Sequence, residues 1–218
     1  MFKISVYTIF LLLFAIPTAL PAAPARFESE QVENNPTLKL EVKTRVSGSP
    51  RQVYFLLDNL PLTCTVIRIL ELENFHAQEM NTNLYRARDG AGLAGHLYYQ
   101  DLSDSSFHAT GEGTYTSARL PLRLRGKTSA RISWRAISPS KTGVSARLYI
   151  QVSNRLLHFT GRVLAPIIRR VARAKTRNLQ NVAQQFFVEA ENSRQKIEES
   201  LYRRNEEEAK TWIKFYNL

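Results

Sequence analysis

Residues 120–152 limit the fold of this chain more than any other stretch. From Leu120 to Ile137 the even positions hold Leu120, Leu122, Leu124, Gly126, Thr128, Ala130, Ile132, Trp134 and Ala136, while Arg119, Arg123, Arg125, Lys127, Arg131 and Arg135 take odd ones. A two-residue period of this length is a long strand with one buried and one wetted face. A turn at Pro139 to Gly143 leads into a returning strand with Val144, Ala146, Leu148, Ile150 and Val152 on one face. The apolar face needs a partner, and the sequence offers Gly161 to Ala190. There Leu164, Ile168, Val171, Ala172, Leu179, Val182, Ala183, Phe186, Phe187 and Ala190 recur at helical spacing. The pattern predicts a curved sheet wrapped around one long amphipathic helix.

The rest of the chain fits that plan. Residues 26–36 read as a flexible polar lead-in. Thr37 to Val46 alternates as a half-buried strand. Ser49-Pro50 is a helix start, with serine as N-cap and proline in the first turn, and Pro61 opens a second short helix. Strands follow over Phe75 to Met80, Leu84 to Arg88, Leu93 to Asp101 and Phe107 to Tyr115, with a hairpin at Asp89-Gly90. Gly111 and Gly113 predict a bulge or sharp bend in the last of these. The long helix is expected to break at Glu191-Asn192-Ser193, leaving residues 191–218 as a helical extension. Its deletion is expected to leave the domain's melting temperature nearly unchanged.

The N-terminus has the pattern of a secretory signal over residues 1–25: Lys3, an apolar centre, and Ala23-Pro24-Ala25 before the cut. The apolar run Val6 to Ile16 is shorter than the roughly 20 residues that span a bilayer. An exported protein is expected, periplasmic in a Gram-negative source and otherwise secreted. Cys64, the one cysteine, lies in an apolar run and reads as a small buried residue. The net charge of +11 favours anionic partners, and export makes nucleic acid a poor fit among them.

No catalytic constellation stands out. His76, His96, His108 and His158 lack metal-ligand spacing, so neither a metal nor another cofactor is expected. No G-x-S-x-G, P-loop or G-x-G-x-x-G is present. The cations on the long strand suit anionic lipid or a solvated face. Those at the front of the long helix, Arg169, Arg170, Arg173 and Arg177 among them, are candidate contacts for an anionic membrane or partner. Trp212, with Lys210 and Lys214 beside it, suits a membrane interface, a partner's groove, or a helix packed back on the domain.

The strand Leu38–Val46, the string Ser49-Pro50-Arg51-Gln52-Val53-Tyr54-Phe55-Leu56-Leu57-Asp58 and the stretch Phe159–Phe187 together resemble the START-like (SRPBCC, Bet v 1-like, polyketide cyclase-related) superfamily over residues 37–190. The resemblance implies an α+β helix-grip fold of about six to seven antiparallel strands, two short early helices and a long C-terminal helix. It also implies a cavity between sheet and helix that holds a hydrophobic ligand, lipid included. The small residues Gly126, Thr128, Ala130, Ala136 and Ala146 beside Trp134, Leu148 and Ile150 leave room on the inward face. Phe186, Phe187 and the helix aliphatics are large enough to fill that room, and both outcomes stay open. Tyr99, Phe107, Ala109, Val182 and Phe186 complete the candidate lining. The expected function is a non-enzymatic carrier of a hydrophobic ligand. The alternatives are a cyclase- or hydrolase-like enzyme using His96, His108 or Tyr99 as acid or base, and an interaction module acting through its tail.

Overall fold

The computed structural model describes residues 29–116, 123–152 and 181–218, with further helical positions at 166, 170, 174, 177 and 178. The expected signal segment, His158 and the cations Arg169 and Arg173 lie outside the described residues.

Seven strands form one antiparallel sheet: β1 (Leu38–Val46), β2 (His76–Asn81), β3 (Leu84–Arg88), β4 (Leu93–Leu102), β5 (Ser106–Thr116), β6 (Arg123–Ser138) and β7 (Lys141–Val152). Their spatial order is β1-β7-β6-β5-β4-β3-β2. Strands β2 to β7 therefore run as a meander, and β1 is added beside β7. Between β1 and β2 the chain crosses from one sheet edge to the other through α2 (Pro50–Asp58) and α3 (Leu60–Ile69). Residues 181–192 form helix α4, followed by α5 (Arg194–Tyr202) and α6 (Glu206–Phe215). The fold is α+β with the helix-grip order of elements.

Local chemistry sets the joints. The Ser49 hydroxyl accepts from the Gln52 N–H at 3.1 Å, and the Gln52 side chain accepts from the Ser49 N–H at 2.9 Å. This reciprocal cap and Pro50 start α2 at the end of β1. At the β3–β4 turn the buried Asp89 carboxylate accepts from the N–H groups of Ala91 and Leu93. Gly90 and Gly92 there adopt φ of 65° and 98°, which a β-carbon would disfavour. The β6–β7 hairpin turns on Pro139 and Ser140 alone, shorter than expected, because Lys141 to Gly143 already pair with β6.

Three expectations are corrected. Strand β5 keeps its register through Gly111 and Gly113, and the irregularity falls at Tyr99/Asp101 in β4 pairing instead. Residues 29–34, expected as flexible lead-in, form helix α1 (Ser29–Asn34). It lies on the outer face of β6 and β7, with Val32 fully buried. Glu33 fixes it there, accepting from Ser129 Oγ at 2.6 Å and from Arg131 Nε at 2.9 and 3.1 Å.

The third concerns the C-terminal extension. The break in the helices falls at Ser193, within the expected stretch. Yet α5 and α6 contribute Ile197, Leu201, Ala209, Trp212 and Phe215 to the same hydrophobic core as the sheet. Asn205 caps α6 by accepting from the Glu207 and Glu208 N–H groups, and three glutamates occupy its first turn. The Trp212 and Phe215 rings stack at 4.5 Å and meet Phe55 of α2 and Phe186 of α4 at 5.8–6.3 Å. Buried apolar area of this size is core, and residues 191–218 are integral to it.

Candidate functional site

Strand alternation and register decide what the concave face presents. Three successive inward rows of the β5–β6 pair are Ala109 opposite Ala130, Gly111 opposite Thr128, and Gly113 opposite Gly126. The Thr128 hydroxyl turns back to donate to the Gly111 carbonyl at 3.4 Å. No side chain in these rows exceeds threonine. Bulk stands on either side: Leu148 and Ile150 on β7, Leu97 and Tyr99 on β4. In the third row Gly95 of β4 and Ala87 of β3 continue the bare strip towards the sheet edge. The centre of the concave face is thus a trough in the side-chain layer. The trough depends on which residues face each other, so Gly95 and Gly113 escaped the sequence reading. Cross-strand register was the signal needed.

At one end of the trough Tyr99 meets Phe107 and Tyr85 with ring centroids 4.6 and 4.7 Å apart. The Tyr99 hydroxyl donates to the Leu57 carbonyl at 2.8 Å. Full burial, with smaller effects from Tyr85, Cys64 and Asp58, pushes the Tyr99 hydroxyl well above its ordinary pKa. It stays protonated, and its one proton is committed to α2. Three buried polar atoms have no partner among the described residues: His96 Nδ1, at an outward position of β4, the Trp134 indole Nε1 and the Asn178 Oδ1. Of the last two, one is a donor on the sheet and the other an acceptor at a helical position. Unpaired buried polar groups are costly, and each is able to meet a polar atom of a ligand.

Most of the candidate lining is buried as a group: Tyr99, Phe107, Ala109, Trp134, Ala146, Leu148, Ile150, Val182 and Phe186. Leu148, Ala109 and Tyr99 share one row, and Ala146 and Phe107 share the next. Phe186 is drawn instead into the aromatic cluster of α6. Ala136 is exposed, because β6 runs past the covered part of the sheet at its hairpin end. Arg170 and Arg177 are exposed helical residues. Trp212 is fully buried, so it cannot be the surface contact that its flanking lysines suggested.

His96 and His108 are placed away from the trough. His108 faces the outer side, with Nε2 3.3 Å from Ser129 Oγ and 3.6 Å from Glu33 Oε1. His96 is also an outward position, since Gly95, Leu97 and Tyr99 take the inward ones. Neither reaches the interior as an acid or base, and the proton of Tyr99 is engaged. Among the described residues no group of three or more His, Cys, Asp or Glu could hold a metal ion.

No protein-family model matches the chain, and no curated protein matches it. Solved structures do. A conserved protein from Geobacillus kaustophilus aligns over 67% of this chain and 95% of its own, at 11% identity and a TM-score of 0.46. An aromatase/cyclase from Streptomyces aligns over 67% and 93%, at 12% identity and 0.42. A START superfamily protein from Mycobacterium smegmatis aligns over 66% and 98%, at 10% identity and 0.39. The likeness is one of fold and is loose. The fold assignment stands on the strand order and connections described above.

Proposed function

We propose that this chain is an exported carrier of a hydrophobic ligand, lipid included, held between the concave face of the sheet and the long C-terminal helix. The observation that carries the reading is the trough: three in-register rows without large side chains, walled by Leu148, Ile150, Leu97 and Tyr99. A floor of alanine, glycine and threonine contributes shape without polarity, which suits an acyl chain or a flat hydrocarbon. The unpaired Trp134 Nε1, two inward rows beyond Ala130 on β6, would meet a polar atom of the ligand. The export signal expected over residues 1–25 supports a location outside the cytoplasm, and the exposed Arg170 and Arg177 support contact with an anionic membrane.

Organic extraction of purified protein followed by mass spectrometry should recover a lipid in near-stoichiometric amount. Ala109→Leu sharpens the test. In an open trough the added atoms displace ligand with little effect on the fold. In a filled core the same change overpacks, which costs about 1–3 kcal/mol. An empty extract, together with a destabilised Ala109→Leu protein, overturns the carrier reading.

A further inference from the structure

The outer face of the sheet carries a second feature, unconnected with the trough. An open cleft of about 810 Å³ lies at the hairpin end of β6 and β7, over β1, β7 and β6 and the Ser105–Ser106 turn. Register explains it. Arg45 of β1 and Arg135 of β6 both sit opposite Gly143 of β7, one on each side. In the next row Lys43, Ser145, Ser133 and Ser106 stand side by side across four strands. The floor is therefore a glycine and three hydroxyls, and the walls are Lys43, Arg45 and Arg135, with the half-exposed Ile137 leaning over Gly143.

The charge arrangement is unusual for a solvated face. No acidic residue lines the cleft. On the exposed rim Glu41 is 3.4 Å from Lys43, and Asp104 precedes Ser105 in the turn. On the same strand as Arg135, Arg131 is neutralised by Glu33. Neither Arg45 nor Arg135 has an ion-pair partner among the described residues. The two guanidinium-bearing strands are two strand spacings, about 10 Å, apart. Gly143 adds no side chain between them, and the Ile137 side chain that reaches over it is apolar and carries no counter-charge. Guanidinium forks match phosphate oxygens in pairs, and serine hydroxyls donate to the same oxygens.

We propose that this cleft binds the phosphate group of a small organic phosphate, held between Arg45 and Arg135 beside the Ile137 side chain, with Lys43 and the serine row contacting the rest of the molecule. The phosphate is either that of a free solute or that of a phospholipid headgroup, and the two are separable. The full chain is titrated calorimetrically with glycerol 3-phosphate at 0.15 M NaCl, where weak long-range attraction is screened. In parallel it is floated with phosphatidylcholine vesicles with and without phosphatidic acid. Saturable binding of glycerol 3-phosphate assigns the free solute. Flotation that requires phosphatidic acid and is competed by inorganic phosphate assigns the headgroup.

In either arm Arg45→Gln/Arg135→Gln should weaken binding about tenfold for each guanidinium removed. Ser145→Asp, which puts a negative charge on the floor, should abolish it. Lys39→Gln, on the same face outside the cleft, should leave it unchanged. Both arms negative, or a loss in Lys39→Gln equal to that in the double variant, overturns the proposal. Because the cleft and the trough lie on opposite faces, lipid recovered from the concave side should be the same in Ser145→Asp as in the wild type.

Discussion

Replacing Trp212 by alanine separates two roles for the end of the chain. Its indole is fully buried and stacks on Phe215 at 4.5 Å and 13°, with Phe55, Phe186 and Tyr216 edge-on at 5.9–6.2 Å. These neighbours come from α2, α4 and α6, so none collapses into the space without dragging its helix. A Trp→Ala change in such surroundings costs about 3–5 kcal/mol, transfer and cavity together. For a domain of this size each kcal/mol lowers the melting point by about 2–4 °C, giving a fall of roughly 6–20 °C. Against a total stability of about 5–15 kcal/mol that is a large share. A surface contact of the same residue would move stability by about 0.5 kcal/mol or less. Urea unfolding followed by far-ultraviolet circular dichroism reads the difference without relying on the tryptophan that has been removed. Trp212→Phe should recover part of the loss by keeping the stack. A midpoint in Trp212→Ala that matches the wild type would refute the placement of α6 in the core.

Three further outcomes follow from particular contacts. Burial opposes ionisation of Glu33, but hydrogen bonds from Ser129 and Arg131 and the charges of Arg131 and His108 outweigh it and hold its carboxyl below the ordinary 4.5. A lowered folded pKa gives stability that is present above 4.5 and lost as pH falls through the folded value, so Glu33→Gln should flatten the acid limb of a stability–pH curve in that window. Tyr99→Phe leaves the Leu57 carbonyl without its buried donor and should cost about 1–3 kcal/mol by urea unfolding. Cys64 is fully buried, and burial pushes its thiol up to about 12, so in native protein at pH 8 it should resist a thiol reagent that modifies it promptly in urea.

The sequence was most readable where one period ran uninterrupted. β1, β4 and the β6–β7 pair each bury one side only, so alternation marked both the strand and its inward face. The cap at Ser49-Pro50 and the break before Arg194 were legible for the same local reason. What escaped depends on partners distant in the chain. Glu33 looks like part of a polar leader until Ser129 and Arg131 are placed opposite it. Trp212 sits among lysines and glutamates, and a sparse apolar seam does not say whether it faces a core or a membrane. Gly111 and Gly113 read as breakers because isolated glycines usually weaken a strand. Here the flanking strands hold β5 straight, and the glycines shape a surface. Gly143 and the two arginines beside it were invisible for a related reason, since the three residues come from three strands.

Gln52 of α2 donates to the Phe215 carbonyl and Ser49 donates to the Leu218 carbonyl, contacts between residues 163 and 169 positions apart. The consequence lies in time. During synthesis Phe55 emerges early and stays without its aromatic partners until Trp212 and Phe215 have been made. Closing so long a loop is entropically slow, and the reward comes only once α6 has folded against both α2 and α4. A nascent or truncated chain therefore presents an apolar face on the short helix α2, where a chaperone or a protease would find it. The sealing of the core is a late event in the life of the molecule, set by the order in which its residues are translated.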